Sequence, residues 1–147
     1  MNTRVWVDTS FLYALFVRSD THHVQAQELW RERIKRKIPA VTSNLVFSEL
    51  ATLFVYRFGH AIALSRMGLL CDSALVRRVY ADAAVESSAM HWWKKFGDQK
   101  FSFPDCVSFE FMRRLGVGRA LSYDLDFSIA GFEVLQNADQ MHSDNAA

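Results

Sequence analysis

The sequence predicts an α/β protein, a central parallel sheet covered by helices on both faces. Three observations carry this. Short β-branched or aromatic runs alternate with helical patterns along the chain. The first run, Val5–Val7, is apolar at consecutive positions, as a strand buried on both faces is. Of 147 residues, 50% are hydrophobic and 14% aromatic, enough to fill one core. A chain of this length forms one domain that buries roughly two-thirds of its unfolded surface.

After Val5–Val7, apolar residues thicken into a helix from Ser10 to Val17. "SDTHHVQAQELWRERIKRK" (Ser19–Lys37) continues as a helix, with Asp20 or Thr21 as its N-cap and a basic, solvated C-terminal end. "IPAVTS" (Ile38–Ser43) is the second strand, with Pro39 tolerated at its start. "NLVFSELATLFVYRFG" (Asn44–Gly59) is an apolar helix stopped by Gly59, followed by a short helix over His60–Leu70. Leu75–Tyr80 forms a third strand and Asp82–Phe96 a helix carrying Trp92 and Trp93. "SFPDCVSFEFMRRLGVG" (Ser102–Gly118) opens on a proline start signal and closes on Gly116. "RALSYD" (Arg119–Asp124) and "FEVL" (Phe132–Leu135) are the last strands. Residues 1–136 thus read as a single domain and 137–147 as a polar, frayed C-terminal tail.

Composition removes several classes. A formal charge of +1 argues against a protein that coats nucleic acid by bulk charge. Cys71 and Cys106, both in apolar surroundings, read as buried free thiols of a reducing compartment. No secretory signal precedes the first strand, and no apolar run is long enough to span a bilayer. The expectation is a soluble, cytoplasmic protein.

Four carboxylates stand where the pattern predicts core or sheet edge. Asp8 ends the first strand and Asp124 ends "RALSYD", and open parallel sheets bind ligands beyond those carboxyl ends. Strand ends are also where polar residues ordinarily resume, so either acid alone is ambiguous. Glu49 shares a helix face with Leu45, Val46, Leu50 and Leu53. A carboxylate in such a stripe is costly to desolvate without a counter-charge. No lysine or arginine lies one turn away, which leaves a metal, a distant partner, or escape to solvent at the stripe's edge. Asp105 completes a capping box with Ser102, and an acid there also suits the helix dipole. That structural role is compatible with a functional one, because a first-turn carboxylate points out of the helix mouth. Converging at one sheet edge, the four would repel one another, and oxygen-only ligands select hard cations such as Mg²⁺ or Mn²⁺. Such a site suits metal-assisted phosphodiester hydrolysis. No His/Cys cluster, glycine-rich phosphate loop or Ser/His/Asp constellation competes with it.

Four blocks in order, "VWVDTSFLYALF", "TSNLVFSELATLF", "FSFPDCVSFEFMRRLGV" and "ALSYDLDFSIAGFEVL", resemble the PIN-domain ribonucleases, specifically the VapC-type toxins of bacterial toxin–antitoxin pairs. The resemblance spans Val5 to Leu135. It implies a three-layer α/β/α sandwich and Mg²⁺- or Mn²⁺-dependent endonucleolytic cleavage of RNA. It also implies a homodimer and a cognate antitoxin whose tail blocks the active-site groove. Position by position, Asp8, Glu49, Asp105 and Asp124 match the family's four acids. Asp126 falls where some members carry a further acid. Thr9 and Ser10 match hydroxyl positions used to hold metal-bound water or phosphate.

Other residues have plainer readings. His22 and His23 suit a solvated or locally bonded role at a helix start. The basic run Arg31, Arg33, Lys35, Arg36 and Lys37 would steer RNA or simply complement a helix dipole. Arg113, Arg114 and Arg119 read as a solvated face near the fourth block. Phe47, Phe54, Tyr56 and Phe58 exceed what one helix face can bury, so the surplus is a protein interface. Trp92 and Trp93 are adjacent and cannot share one core. The alternatives to a toxin nuclease are an RNA-processing nuclease of the same fold and a non-catalytic interaction module whose acids cap helices. A haloacid-dehalogenase-like phosphatase needs a second aspartate two positions after the first, and Ser10 stands there.

Overall fold

The computed structural model describes residues 3–145, with side chains described as far as Met141. Five strands, β1 (Val5–Val7), β2 (Ala40–Ser43), β3 (Val76–Val79), β4 (Arg119–Leu121) and β5 (Glu133–Val134), form one sheet in the order β3-β2-β1-β4-β5. Every pairing is parallel. The helices are α1 (Thr9–Phe16), α2 (His23–Lys35), α3 (Asn44–Phe58), α4 (His60–Asp72), α5 (Ala83–Lys95), α6 (Phe103–Leu115) and α7 (Asp126–Ile129). The expected parallel α/β architecture is therefore present.

The strand order decides where a ligand goes. The chain moves outward from β1 through β2 to β3, then returns to lay β4 against the other side of β1. The order reverses between β1 and β4, and the crevice of an open α/β sheet forms at the carboxyl ends of such a pair. Asp8 immediately follows β1, and its backbone N–H donates to Leu121 O (3.0 Å), continuing the ladder onto β4.

Val5, Trp6 and Val7 are fully buried, as a central strand requires. Trp6 stacks on Phe111 with ring centroids 5.9 Å apart. Phe109, also on α6, meets Trp92, Phe101, Phe127 and Phe132, all within 5.1–5.7 Å. Residues 105–112 of α6 are buried all round, so this helix is fixed from every side. Rigidity there carries to Asp105 in its first turn.

Several expectations are corrected. Helix α2 starts at His23 rather than directly after an Asp20 or Thr21 cap, because Asp20 Oδ1 accepts the His22 N–H (2.8 Å) in a turn instead of capping the helix. Cys71 is exposed, and Cys106 alone is the buried free thiol. Arg33 is not solvated: it is buried, donates to Ile38 O (2.7 Å) and lies 4.0 Å over the Trp30 ring. Of the later arginines, Arg113 and Arg114 are exposed, as a solvated face requires, and only Arg119 departs from that reading. Arg113 and Arg114 pair with Glu110 at 2.7 and 2.8 Å, and Arg119 is buried against Thr3 O (3.2 Å). Glu110, only 2% exposed and also bonded by Trp92 Nε1, is a buried ion-pair centre that its sequence position between aromatics does not advertise.

The tail is not frayed as far as it is described. Residues 138–145 form a 3-10 helix packed on α2, with Met141 buried. Gln25 Nε2 donates to Gln136 O. The last two residues lie outside the described part. Surplus aromatic surface does exist on α3: Phe54 is buried while Tyr56 is 87% exposed. Of the tryptophans, Trp92 packs in the core and Trp93 is exposed, its Nε1 donating to Phe101 O (2.6 Å). No described helix is long and apolar enough to cross a membrane.

Candidate active site

Asp8 caps α1 and is almost wholly buried, at 4% exposed. Its Oδ2 accepts from Ser10 Oγ (2.8 Å), Ser122 Oγ (2.9 Å) and the Ser10 N–H (3.4 Å). Burial raises its proton affinity, and those hydrogen bonds oppose the rise. Each hydroxyl has a second partner. Tyr123 N–H donates to Ser10 Oγ (2.9 Å), and Asp124 N–H donates to Ser122 Oγ (3.0 Å). The two serines therefore tie the end of β1 to the loop after β4.

Glu49 stands six positions after Ser43, whose side chain caps α3 by accepting the Val46 N–H (3.2 Å). The buried face of α3 is Val46, Leu50 and Phe54, whereas Leu53 is exposed. Glu49 thus lies at the edge of the apolar stripe rather than inside it, half-buried and turned to the sheet edge. Thr9 Oγ1 donates to its Oε1 (2.8 Å). Burial raises the Glu49 pKa, the Thr9 bond lowers it, and the charges of Asp8 and Asp124 raise it further.

Asp105 performs its expected capping role: Ser102 N–H donates to Oδ2 (3.1 Å) while Asp105 N–H donates to Ser102 Oγ (3.2 Å). It is also part of the acidic centre, so the two readings hold together. Burial, then the charge of Asp8 and more weakly that of Asp124, holds its pKa up at about 7, against the Ser102 bonds. Strand β4 ends at Leu121, three residues short of Asp124, which lies in the following turn. There Asp124 Oδ1 accepts the Asp126 N–H (3.0 Å), and Asp126 opens the short α7, an element absent from the sequence-based reading. Asp126 is pushed up by burial and by Asp124.

Asp105, Asp124 and Asp126 each offer a carboxylate oxygen within 4.8 Å of the others, the one such group among the described residues. Asp8 and Glu49 flank this trio and are coupled to it by charge. Crowding of carboxylate oxygens, with the proton affinities of Asp105 and Asp126 raised, is what a hard divalent cation would satisfy. The donor set contains no sulfur or imidazole, so it fits such a cation rather than zinc. Thr9 and Ser10 are engaged with Glu49 and Asp8, holding the acids in place. Ser122 does the same for Asp8, and sequence reading missed it. Its signal was its position two residues before Asp124, where a hydroxyl reaches the backbone N–H of the second residue on.

A PIN domain model matches residues 5–133. The chain belongs to the PIN-domain family. It is 38% identical over 129 residues to the "23S rRNA-specific endonuclease VapC20" of Mycobacterium tuberculosis (strain H37Rv), covering 87% of this chain and 95% of that protein. The same values hold for VapC20 of strain CDC 1551. The crystal structure of M. tuberculosis VapC20, described as a sarcin–ricin loop cleaving toxin, superposes with a TM-score of 0.82 at 35% identity. That match covers 90% of this chain and 98% of the other. The five-stranded sheet and its flanking helices are therefore the PIN-domain sandwich.

Proposed function

We propose that this PIN-domain protein is a Mg²⁺- or Mn²⁺-dependent endoribonuclease, the toxin of a toxin–antitoxin pair, and that it cuts 23S rRNA in the sarcin–ricin loop. The observation that carries the reading is the carboxylate trio from two distant segments, the start of α6 and the turn into α7, gathered where the strand order reverses in a PIN-domain sheet. The named specificity of VapC20 supports the substrate, given a resemblance that runs over 95% of that protein.

Asp105, Asp124 and Asp126 would hold the cation, with Asp8 completing the negative centre. When bound, a divalent cation lowers the pKa of an attacking water and neutralises charge on the phosphate and the leaving oxygen. Glu49, outside the trio and raised in proton affinity, is the residue we assign to take the proton from that water. Thr9 and Ser10 orient Glu49 and Asp8. Residues 1–136 act as one nuclease unit. The exposed apolar side chains of α3 and α4, Tyr56, Leu64 and Leu69 foremost, supply the surface for a homodimer and for the antitoxin. The site of action is the cytoplasm, where ribosomal RNA is.

The test is incubation of the purified protein with intact ribosomes and Mg²⁺, with cuts mapped by primer extension. A single cut in the sarcin–ricin loop, lost in EDTA and in folded Asp8→Asn, is expected. Cleavage confined to other RNA would refute the substrate, and cleavage undiminished in Asp8→Asn would refute the site.

A further inference from the structure

Beside the carboxylates stands a ring pair that the proposed chemistry leaves unused. His22 and Tyr123 are stacked face to face, with centroids 4.0 Å apart and planes at 8°. Tyr123 is backed by Phe11 in the core, at 5.9 Å and 16°. Its backbone N–H is held by Ser10 Oγ, the same hydroxyl that donates to Asp8. His22 is held separately, by the bond from its N–H to Asp20. The stack thus runs from core to solvent and ends on the exposed His22 ring, anchored to the acidic centre through one serine.

Two hollows adjoin the stack, and His22 and Tyr123 line each of them. One, of about 280 Å³, continues to Asp124 and carries Gln25, Ser128 and Gln136, groups able to donate to and accept from a base edge. The other, of about 220 Å³, continues to Ser10 and is walled by Tyr13 and Leu53, with Asp20 at its rim. Both are smaller than the ~300–1,000 Å³ pockets that enclose drug-sized ligands. Their size and flat aromatic walls suit single planar rings. The rim carboxylate of Asp20 would repel a phosphate but not a neutral base. Single-stranded RNA is held this way, its unstacked bases laid on aromatic side chains and read at their edges.

The geometry points to the His22–Tyr123 stack as a nucleobase platform that seats a base beside the cleaved phosphate on the exposed His22 ring. This rests on the endoribonuclease reading and adds the residues that position its substrate. His22 presents the free ring face; Tyr123 fixes the plane of that ring relative to the acids.

Two measurements on the full chain test it. The first is KM and kcat for the ribosomal RNA fragment that the wild type cuts, in His22→Ala and His22→Phe. Loss of one stacked base weakens binding roughly 5- to 100-fold. His22→Ala should raise KM within that range, with the loss carried by KM rather than kcat, and His22→Phe should restore it. The second is fluorescence anisotropy of a labelled eight-nucleotide single-stranded RNA of mixed sequence, without divalent cation. The same ordering of the three proteins is expected there. Equal affinity of wild type and His22→Ala for the oligonucleotide would overturn the platform even if cleavage is confirmed. A defect that His22→Phe fails to restore would also overturn it, since it would trace to the turn at Asp20 rather than to stacking. Should the wild type cut no RNA while its oligonucleotide binding still depends on an aromatic ring at 22, the platform stands and the cleavage reading falls.

Discussion

Replacing Asp105 by asparagine should stabilise the metal-free protein while destroying its activity. Asp105 is 9% exposed and faces the charge of Asp8 and Asp124. Its pKa rises from 3.8 to about 7, so folding disfavours the ionised form. The sign follows: metal-free protein is least stable above pH 7 and gains stability as pH falls from about 7 towards 4. A rise of that size corresponds to a ceiling of about 4 kcal/mol at pH 8, at ~1.4 kcal/mol per unit. The amide keeps the bond from Ser102 N–H and gives up only the charge at the α6 N-terminus, which costs about 0.5 kcal/mol. Relief of repulsion therefore outweighs the loss. At roughly 3 °C per kcal/mol for a chain of this size, the melting temperature at pH 8 should rise by up to about 10 °C. The assay is thermal unfolding in EDTA between pH 5 and 8.5. Wild type should lose stability as pH rises and Asp105→Asn should lose less. A variant that melts lower than wild type at pH 8, with an unchanged pH slope, would show that Asp105 is not destabilised by its charge.

Other outcomes follow from the same geometry. Ser122→Ala removes a 2.9 Å bond to Asp8 and the tie to Asp124, and should weaken Mn²⁺ binding about 10- to 100-fold by titration calorimetry. Thr9→Val frees Glu49 and should lower kcat with little change in KM, read from single-turnover cleavage. Glu110 is held down at about 2 by Arg113 and Arg114, so its contribution is full above pH 4.5 and fades as pH falls towards 2. Glu110→Gln should accordingly flatten the acid limb of the unfolding curve. Phe109→Ala, at the centre of the aromatic cluster, should cost about 3–5 kcal/mol by urea unfolding.

Much of the fold was legible because its signals are local. Val5–Val7 is apolar without interruption, Gly59 and Gly116 end helices at positive φ, and Ser102 to Asp105 is a capping box that forms as written. Asp8 and Glu49 were legible for the same reason: each interrupts an apolar pattern. What failed was whatever depends on a partner far along the chain. Ser122 reaches Asp8, 114 positions away, only because β4 lies beside β1. Arg33 reads as part of a charged helix end until Ile38 and Trp30 are seen around it. The tail is largely polar, yet one buried Met141 docks it on α2. Helix α7 is too short for a periodicity to show, and it moved Asp124 from a strand end into a turn.

The most direct test of the central claim is anomalous diffraction at the manganese edge from crystals of the wild-type protein grown with Mn²⁺. A peak is expected within bonding distance of carboxylate oxygens of Asp105, Asp124 and Asp126, beside Asp8, and should be absent in Asp105→Asn. Manganese bound elsewhere on the protein, with that trio empty at saturating metal, would contradict it.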